Sequence, residues 1–229
     1  MKTVFSYIFS LVLFLIITIP ANGQSLQNRL DGVYGLNPKL FNGRMYTNSY
    51  PATVKGHQFL SSKDFQEGSL EINQQLYEQQ QINYDVYDQQ LLLLFKDYTN
   101  ASRLIEVPLS HVQSFILEGK YFELRNWEDS TYRIFQVIGE QDCKILIHWT
   151  KELKPITTTD SYQYQFSKVN RFLWIWKDNE YHAITNNKSF LKLFSDEEQL
   201  SIKKWLKSKR IKIQKTEDYN LLLLTQYIN

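Results

Sequence analysis

Four histidines, one cysteine and 24 carboxylates are the side chains of this 229-residue chain that could do metal, nucleophile or proton chemistry. His57, His111, His148 and His182 stand apart in the sequence. None falls into HExxH, HxH or another spacing that would bring two imidazoles to one metal ion. Cys143 has no second thiol to pair with, so it forms no intramolecular disulfide and reads as a small buried hydrophobe. There is no GxSxG elbow for a nucleophilic serine and no glycine-rich loop to cradle phosphate. Asp85 and Asp88 would suit an acid–base pair of carboxylates. Three residues apart on a strand, however, they point to opposite faces. Asp88 therefore reads as a turn residue, and the Asp and Tyr side chains around it as turn and sheet-surface choices. Glu197 and Glu198 fall in the first turn of an expected helix, where the macrodipole favours acids. With no linked nucleophile, base or metal set, the chain reads as non-catalytic, with no cofactor and no metal; a hydrolase ranks behind the binding functions.

Two groups of side chains remain as a candidate partner surface. Phe172, Trp174 and Trp176 alternate with Leu173 and Ile175, so the three rings share one strand face. They are either one packed side of a central strand or an aromatic wall. The second group is Lys203, Lys204, Trp205, Lys207 and Arg210, in a run to Lys215 that contains no acid. That run is either a solvated helix face or a surface for anionic lipid or glycan.

The elements that must carry these residues are mostly strands. Gly68–Phe95 is the clearest piece, three short strands joined by tight turns. Leu70 and Ile72 alternate with polar residues, Asn73-Gln74 supplies a turn, and Ile82, Tyr84 and Val86 oppose Asn83, Asp85 and Tyr87. Leu91 to Phe95 is continuously apolar and reads as a central strand buried on both faces. Upstream, Asn42-Gly43 marks a hairpin between Leu40-Phe41 and Met45-Tyr46. Downstream, strands over Arg103–Val107, Val112–Leu117, Tyr121–Leu124, Tyr132–Val137, Lys144–Trp149, Ser161–Phe166, Phe172–Trp176 and Tyr181–Ile184 are separated by turns every 8–12 residues. From about residue 188 the period becomes helical. Ser189 is expected to cap a helix from Phe190, Ser195 and Glu198 form a capping box, and Thr216 opens a last helix with Leu221–Leu224 and Tyr227 on its apolar face. The expectation is α+β, mostly β: an antiparallel meander sheet, as a sandwich or half-barrel, with a short C-terminal helical cap.

The ends and totals set the compartment. Lys2 precedes an apolar run from Val4 to Ile19, closed by Pro20, and Ala21-Asn22-Gly23 puts small residues at −3 and −1. A secretory signal peptide over 1–23, cleaved after Gly23, is expected, with 24–229 as one β-rich domain and 188–229 as its helices. No cysteine follows directly, so the protein is not expected to be a lipoprotein. A lone cysteine in an exported chain of this size points to a bacterial periplasm. The net charge of +2 hides an asymmetry: Gln24–Asp142 carries 10 Lys/Arg against 15 Asp/Glu, and Cys143–Asn229 carries 15 against 9.

The runs FNGRMY, GSLEI, INYDVYDQQLLLL, VQSFILEGKYFELR, YRIFQVIGEQDCKILIHWTKE, SFLKLF and IKKWLKSKRIKI resemble a family of uncharacterised exported proteins of Bacteroidota-type Gram-negative bacteria. The resemblance covers nearly the whole chain after residue 23. It implies export and a β-rich body with C-terminal helices, and no activity. The function expected is an exported, periplasmic binding or scaffolding protein. Its partner would be a protein, lipid or glycan of the cell envelope, with peripheral contact to an anionic membrane surface and no nucleic acid. The alternative is a periplasmic carrier of an apolar ligand such as a lipid, held in a cavity of the curved sheet closed by the C-terminal helices.

Overall fold

Turns in the left-handed region set the register of the sheet. Asn73-Gln74 (φ 50° and 64°), Glu118-Gly119 (53° and 71°) and Asp178-Asn179 (53° and 61°) each place two consecutive residues at positive φ. That is the two-residue hairpin turn whose twist matches the flanking strands. The computed structural model describes residues 37–48, 50–127, 131–140, 143–157 and 161–228. The expected signal peptide and its cleavage after Gly23 lie outside the described residues, as do residues 141–142 in the turn expected between Tyr132–Val137 and Lys144–Trp149.

Fourteen strands are present among those residues. They are β1 (Arg44–Met45), β2 (Val54–Lys55), β3 (Gln66–Ile72), β4 (Gln75–Asp85), β5 (Gln90–Lys96), β6 (Ser102–Glu106), β7 (Val112–Leu117) and β8 (Lys120–Asn126). They continue as β9 (Tyr132–Ile138), β10 (Lys144–Thr150), β11 (Leu153–Pro155), β12 (Tyr164–Phe166), β13 (Asn170–Lys177) and β14 (Glu180–Ile184). Eleven form one antiparallel sheet in the order β1-β6-β5-β4-β3-β7-β8-β9-β10-β13-β14, and β11-β12-β2 form a small second sheet. Three α-helices follow: α1 (Asn187–Leu191), α2 (Asp196–Ser208) and α3 (Asp218–Ile228). The protein is therefore mostly β, an open antiparallel sheet with a short C-terminal helical cap.

The sheet is strongly coiled. Tyr84 of β4 meets Phe122 of β8 with ring centroids 5.7 Å apart, although these strands lie three places apart, about 14 Å in a flat sheet. At one end the coil nearly meets itself: Gln89, in the β4–β5 turn, donates to the Trp149 carbonyl of β10 at 2.9 Å. The inner face is filled by side chains. Leu70, Ile72, Ile82, Tyr84, Leu91, Leu93, Phe115 and Phe122 are almost wholly buried there, and the Phe115 and Phe122 rings stack at 4.6 Å. Farther along the same face the three helices cover Ile145, Ile147, Leu173, Ile175 and Ile184 with Phe190, Phe194, Ile202, Leu206, Leu221 and Leu224. Each such side chain contributes about 1.5–3 kcal/mol relative to exposure.

Several local expectations change. Asn42-Gly43 forms no hairpin; Arg44–Met45 pairs instead with Ile105 and Glu106 of β6. Gly43 is needed for close approach, because a Cβ there would sit 2.9 Å from Ile105 Cδ1 and collide with the Glu106 carbonyl. Tyr84 and Asp85 are fully buried, so only Tyr87 and Asp88 of that group lie on the surface. The cap of α1 is Asn186, whose side chain accepts from the Ser189 amide while Ser189 Oγ accepts from the Asn186 amide. Ser189 is the reciprocal partner three residues in, a reversal of the expected S/T-first order. Ser195 and Glu198 do form the expected box on α2. On α3, Leu221, Leu224 and Thr225 are buried, and Tyr227 instead lies outside, stacked on Trp205 at 5.4 Å.

At Gly68 the β3–β4 register shifts at a bulge, and an added Cβ would lie 2.7 Å from Ile82 Cδ1 and against the Ile116 carbonyl. Gly68→Ala should therefore cost about 1–3 kcal/mol by overpacking. Urea unfolding measures this, and an unchanged midpoint would show that the strands part freely there.

Candidate functional site

The cleft richest in charge lies between α1, α2 and the segment that follows them. Helix α2 begins with three acids, Asp196, Glu197 and Glu198, at its positive pole. Its other end closes as a Schellman motif: the Arg210 amide donates to the Lys207 carbonyl at 3.1 Å and the Ile211 amide to the Leu206 carbonyl at 2.9 Å. That motif needs a left-handed residue, usually glycine. Here the position is held by Arg210, at φ 53°, a choice that costs about 1 kcal/mol. Ile211 then folds back beside Leu206, and both are nearly buried. Asn187 Nδ2 donates to the Ile211 carbonyl and Asn187 Oδ1 accepts from the Ile213 amide, both at 2.9 Å. These bonds fasten the start of α1 to the chain beyond α2, so the cleft is preformed.

The cleft has a volume of about 1050 Å³ and an apolar lining in which Leu206 and Ile211 are buried at the base, Leu191 is half-buried and Leu200 is exposed at the rim. Lys188, Lys192, Lys203, Lys207, Arg210 and Lys212 stand around it, and Asp196 is the one carboxylate lining it. All six cations are exposed. Among the described residues none of them lies within ion-pair distance of a carboxylate. Lys203, Lys207 and Arg210 of the expected surface are thus brought together, and Lys188, Lys192 and Lys212 join them. Lys204 and Trp205 turn to an adjoining shallow cleft with Leu200, Ser208 and Tyr227.

Phe172, Trp174 and Trp176 lie elsewhere, on the outer face of β13, because Leu173 and Ile175 alternate with them and point under the helices. Trp174 and Trp176 pack with Trp127, Phe135, Leu146 and Tyr181. The guanidiniums of Arg133 and Arg125 lie over the Trp127 and Trp176 rings at 4.6 and 5.6 Å. Phe172 stays 55 % exposed and, with Trp174, His148 and Arg133, edges a hollow of about 520 Å³. The aromatic strand and the basic helices therefore occupy opposite faces of the sheet.

One polar cluster carries no sequence signal. Asp85 is wholly buried. Its Oδ1 accepts from the amides of Tyr87 and Asp88, both at 2.9 Å, while its Oδ2 is buried without a hydrogen-bond partner. Burial pushes its carboxyl up to about 6, Asp88 adding to the rise and the bonded amides and Lys151 opposing it. Lys151 Nζ donates to the carbonyls of His57 at 2.9 Å and Phe59 at 2.6 Å, and burial lowers its pKa. Beside this cluster is a cleft of about 500 Å³ lined by Tyr46, Tyr50, Gln58, Lys63 and Tyr162. Gln58 donates to the Tyr46 hydroxyl and Tyr50 to Asp88 Oδ2, both at 2.7 Å. These groups pin the 57–60 segment to the β4–β5 turn. Burial also depresses His57 and His148 and pushes the Cys143 thiol up to about 11.

Because the folded state holds a proton on Asp85 more tightly than the unfolded chain, stability contributed by the protonated form is lost as pH rises from about 4 through about 6. The loss is on the order of 2–3 kcal/mol. Asp85→Asn should remove that slope whatever its effect on absolute stability, as read from unfolding midpoints at pH 4, 5, 6 and 7. Parallel curves for the two proteins would show that Asp85 is not the group that titrates.

No family model, no curated protein and no solved structure matches the chain, so the resemblance to an exported family rests on the quoted sequence runs alone.

Proposed function

We propose that the protein is a non-catalytic, exported binding protein of the periplasm, and that its site is the cleft between α1 and α2. The observation that carries this reading is six exposed cations, none paired with a carboxylate of the described residues, around a cleft lined by Leu191, Leu200, Leu206 and Ile211. Such a site favours a partner that is anionic on its surface and apolar where it inserts, such as an envelope lipid or an anionic membrane surface. The preformed walls support binding without a large ordering cost. Asp85, whose carboxyl burial pushes up, and Lys151, whose ammonium burial lowers, hold segments of the fold together through Asx-turn and carbonyl contacts, which accords with a binding function. The carrier alternative drew its cavity inside the curved sheet, whose inner face Tyr84, Phe115 and Phe122 fill. A lipid bound by this chain would sit in the helical cleft instead.

Co-sedimentation with phosphatidylglycerol vesicles tests the proposal. Each cation near an anionic surface is worth about 1 kcal/mol, so the triple change of Lys203, Lys207 and Arg210 to Gln should weaken binding roughly 100-fold. Changing Lys39, Lys55 and Lys63 to Gln, away from the cleft, should matter far less. Equal binding by the two triple variants would remove the cleft from consideration.

A further inference from the structure

We infer that the α1–α2 cleft takes a single-chain amphiphile, one acyl chain carrying an anionic headgroup, and that Arg210 is the headgroup's anchor. This rests on the cleft being the binding site, as proposed above, and names what it binds. Three observations carry it. The lining is apolar from rim to base: Leu200 is 63 % exposed at the rim, Leu191 is half-buried, and Leu206 and Ile211 are buried beneath them, a strip that one narrow chain can cover. One wall is short. Helix α1 has five residues, about 7.5 Å of helix, too little to cradle a partner helix 10–12 Å across, whereas a methylene chain needs no more. The charge is polarised. Asp196 lines the cleft at the start of α2, and Arg210 with Lys207 and Lys212 lies at the end, about 20 Å away along the helix axis. An anion is favoured at the Arg210 end, where three cations gather, over the other, where Asp196 stands, which orients the chain along the groove.

Arg210 gives the independent argument. The Schellman position it occupies is filled most cheaply by glycine, and a side chain there is held in a sparsely populated conformation. A strained residue at the mouth of a cleft is expected where its side chain has a task. A guanidinium offers a carboxylate or phosphate two parallel hydrogen bonds, and no carboxylate of the described residues pairs with it.

Titration calorimetry with three probes, each kept below any micelle-forming concentration, decides the matter. Dodecanoate carries both chain and charge, dodecyl maltoside the chain alone, and acetate the charge alone. Wild-type protein should bind dodecanoate at least about 10-fold more tightly than either of the others. Arg210→Gly should raise the melting temperature by about 1–3 °C while weakening dodecanoate at least about 10-fold. Arg210→Lys, which keeps the charge and loses the fork, should fall between. Wild-type affinity for dodecanoate in Arg210→Gly would overturn the anchor, and a lower melting temperature would overturn the strain argument. Equal binding of dodecyl maltoside would overturn the anionic headgroup. Loss of dodecanoate binding alongside intact phosphatidylglycerol binding would overturn the amphiphile and leave the binding function standing. Loss of both would sink both.

Discussion

The fold depends on one side-chain amide. Gln89 sits in the left-handed region of the β4–β5 turn, accepts from the Tyr84 hydroxyl at 2.7 Å, and donates to the carbonyls of Val86 and Trp149 at 2.7 and 2.9 Å. Tyr84 is fully buried in the middle of the inner face, so its hydroxyl must find a partner or forfeit its hydration. Gln89 supplies that partner and, with its other end, joins the fourth strand to the tenth. An open sheet of eleven strands has no edge pairing to hold its curl. Here the curl is held by a polar contact across the gap and by Lys151, which reaches the His57 and Phe59 carbonyls from just beyond the same strand. Neither contact need be strong in isolation. Both are costly to leave unmade once the surrounding apolar surface is buried.

A second polar chain seats the helices. Trp149 Nε1 donates to Gln136 Oε1 at 2.9 Å, and Gln136 Nε2 donates to Asp218 Oδ2 at 2.7 Å. Arg171 and Lys120 approach the same carboxylate at 3.8 and 3.6 Å. Arg171 also donates to the Gln214 and Thr216 carbonyls at 3.0 and 2.5 Å, where the chain passes from α2 to α3. The seam between sheet and helices is thus apolar in area and polar in registry. The carboxylate that α3 offers at its own N-terminus becomes the point at which the sheet grips it. With α3 fixed, and α1 fastened through Asn187, α2 carries its cations on the outward side, where no carboxylate of the described residues pairs with them.

Strand pattern was the most readable layer of the sequence. Of the run Leu91–Phe95, whose continuous apolar character implies burial on both faces, Leu91, Leu92 and Leu93 are buried and Leu94 and Phe95 are half-buried, and the Ser195–Glu198 box starts its helix. What stayed hidden depends on partners distant in the chain. Asp85 looked like a surface residue because alternation placed it opposite Tyr84, and nothing local announced the 57–60 segment that covers it. Gly43 looked like a turn former because Asn-Gly favours hairpins, whereas its role is to let β1 approach β6. In the candidate site, the basic run after residue 202 was legible, but Lys188 and Lys192 belong to another helix and only the fold brings them in. The aromatic alternation of β13 was also plain. That it faces away from the helices follows from the packing of Leu173 and Ile175, which no periodicity can assign to one side or the other.

The strand order has a consequence for how molecules of this kind meet one another. An unclosed sheet ends in two rows of backbone groups that could pair with a neighbour's. One margin is only two residues long at β1, and there Arg44 and Glu106 are bridged at 2.7 Å. Next to it, Arg103 of β6 is held by Asp97 at 2.7 Å. The opposite margin, β14, carries Glu180 and His182 and turns at once into α1. Desolvating those charges would tax any strand added from outside. The sheet therefore ends in two guarded borders, and sociability is left to the helices.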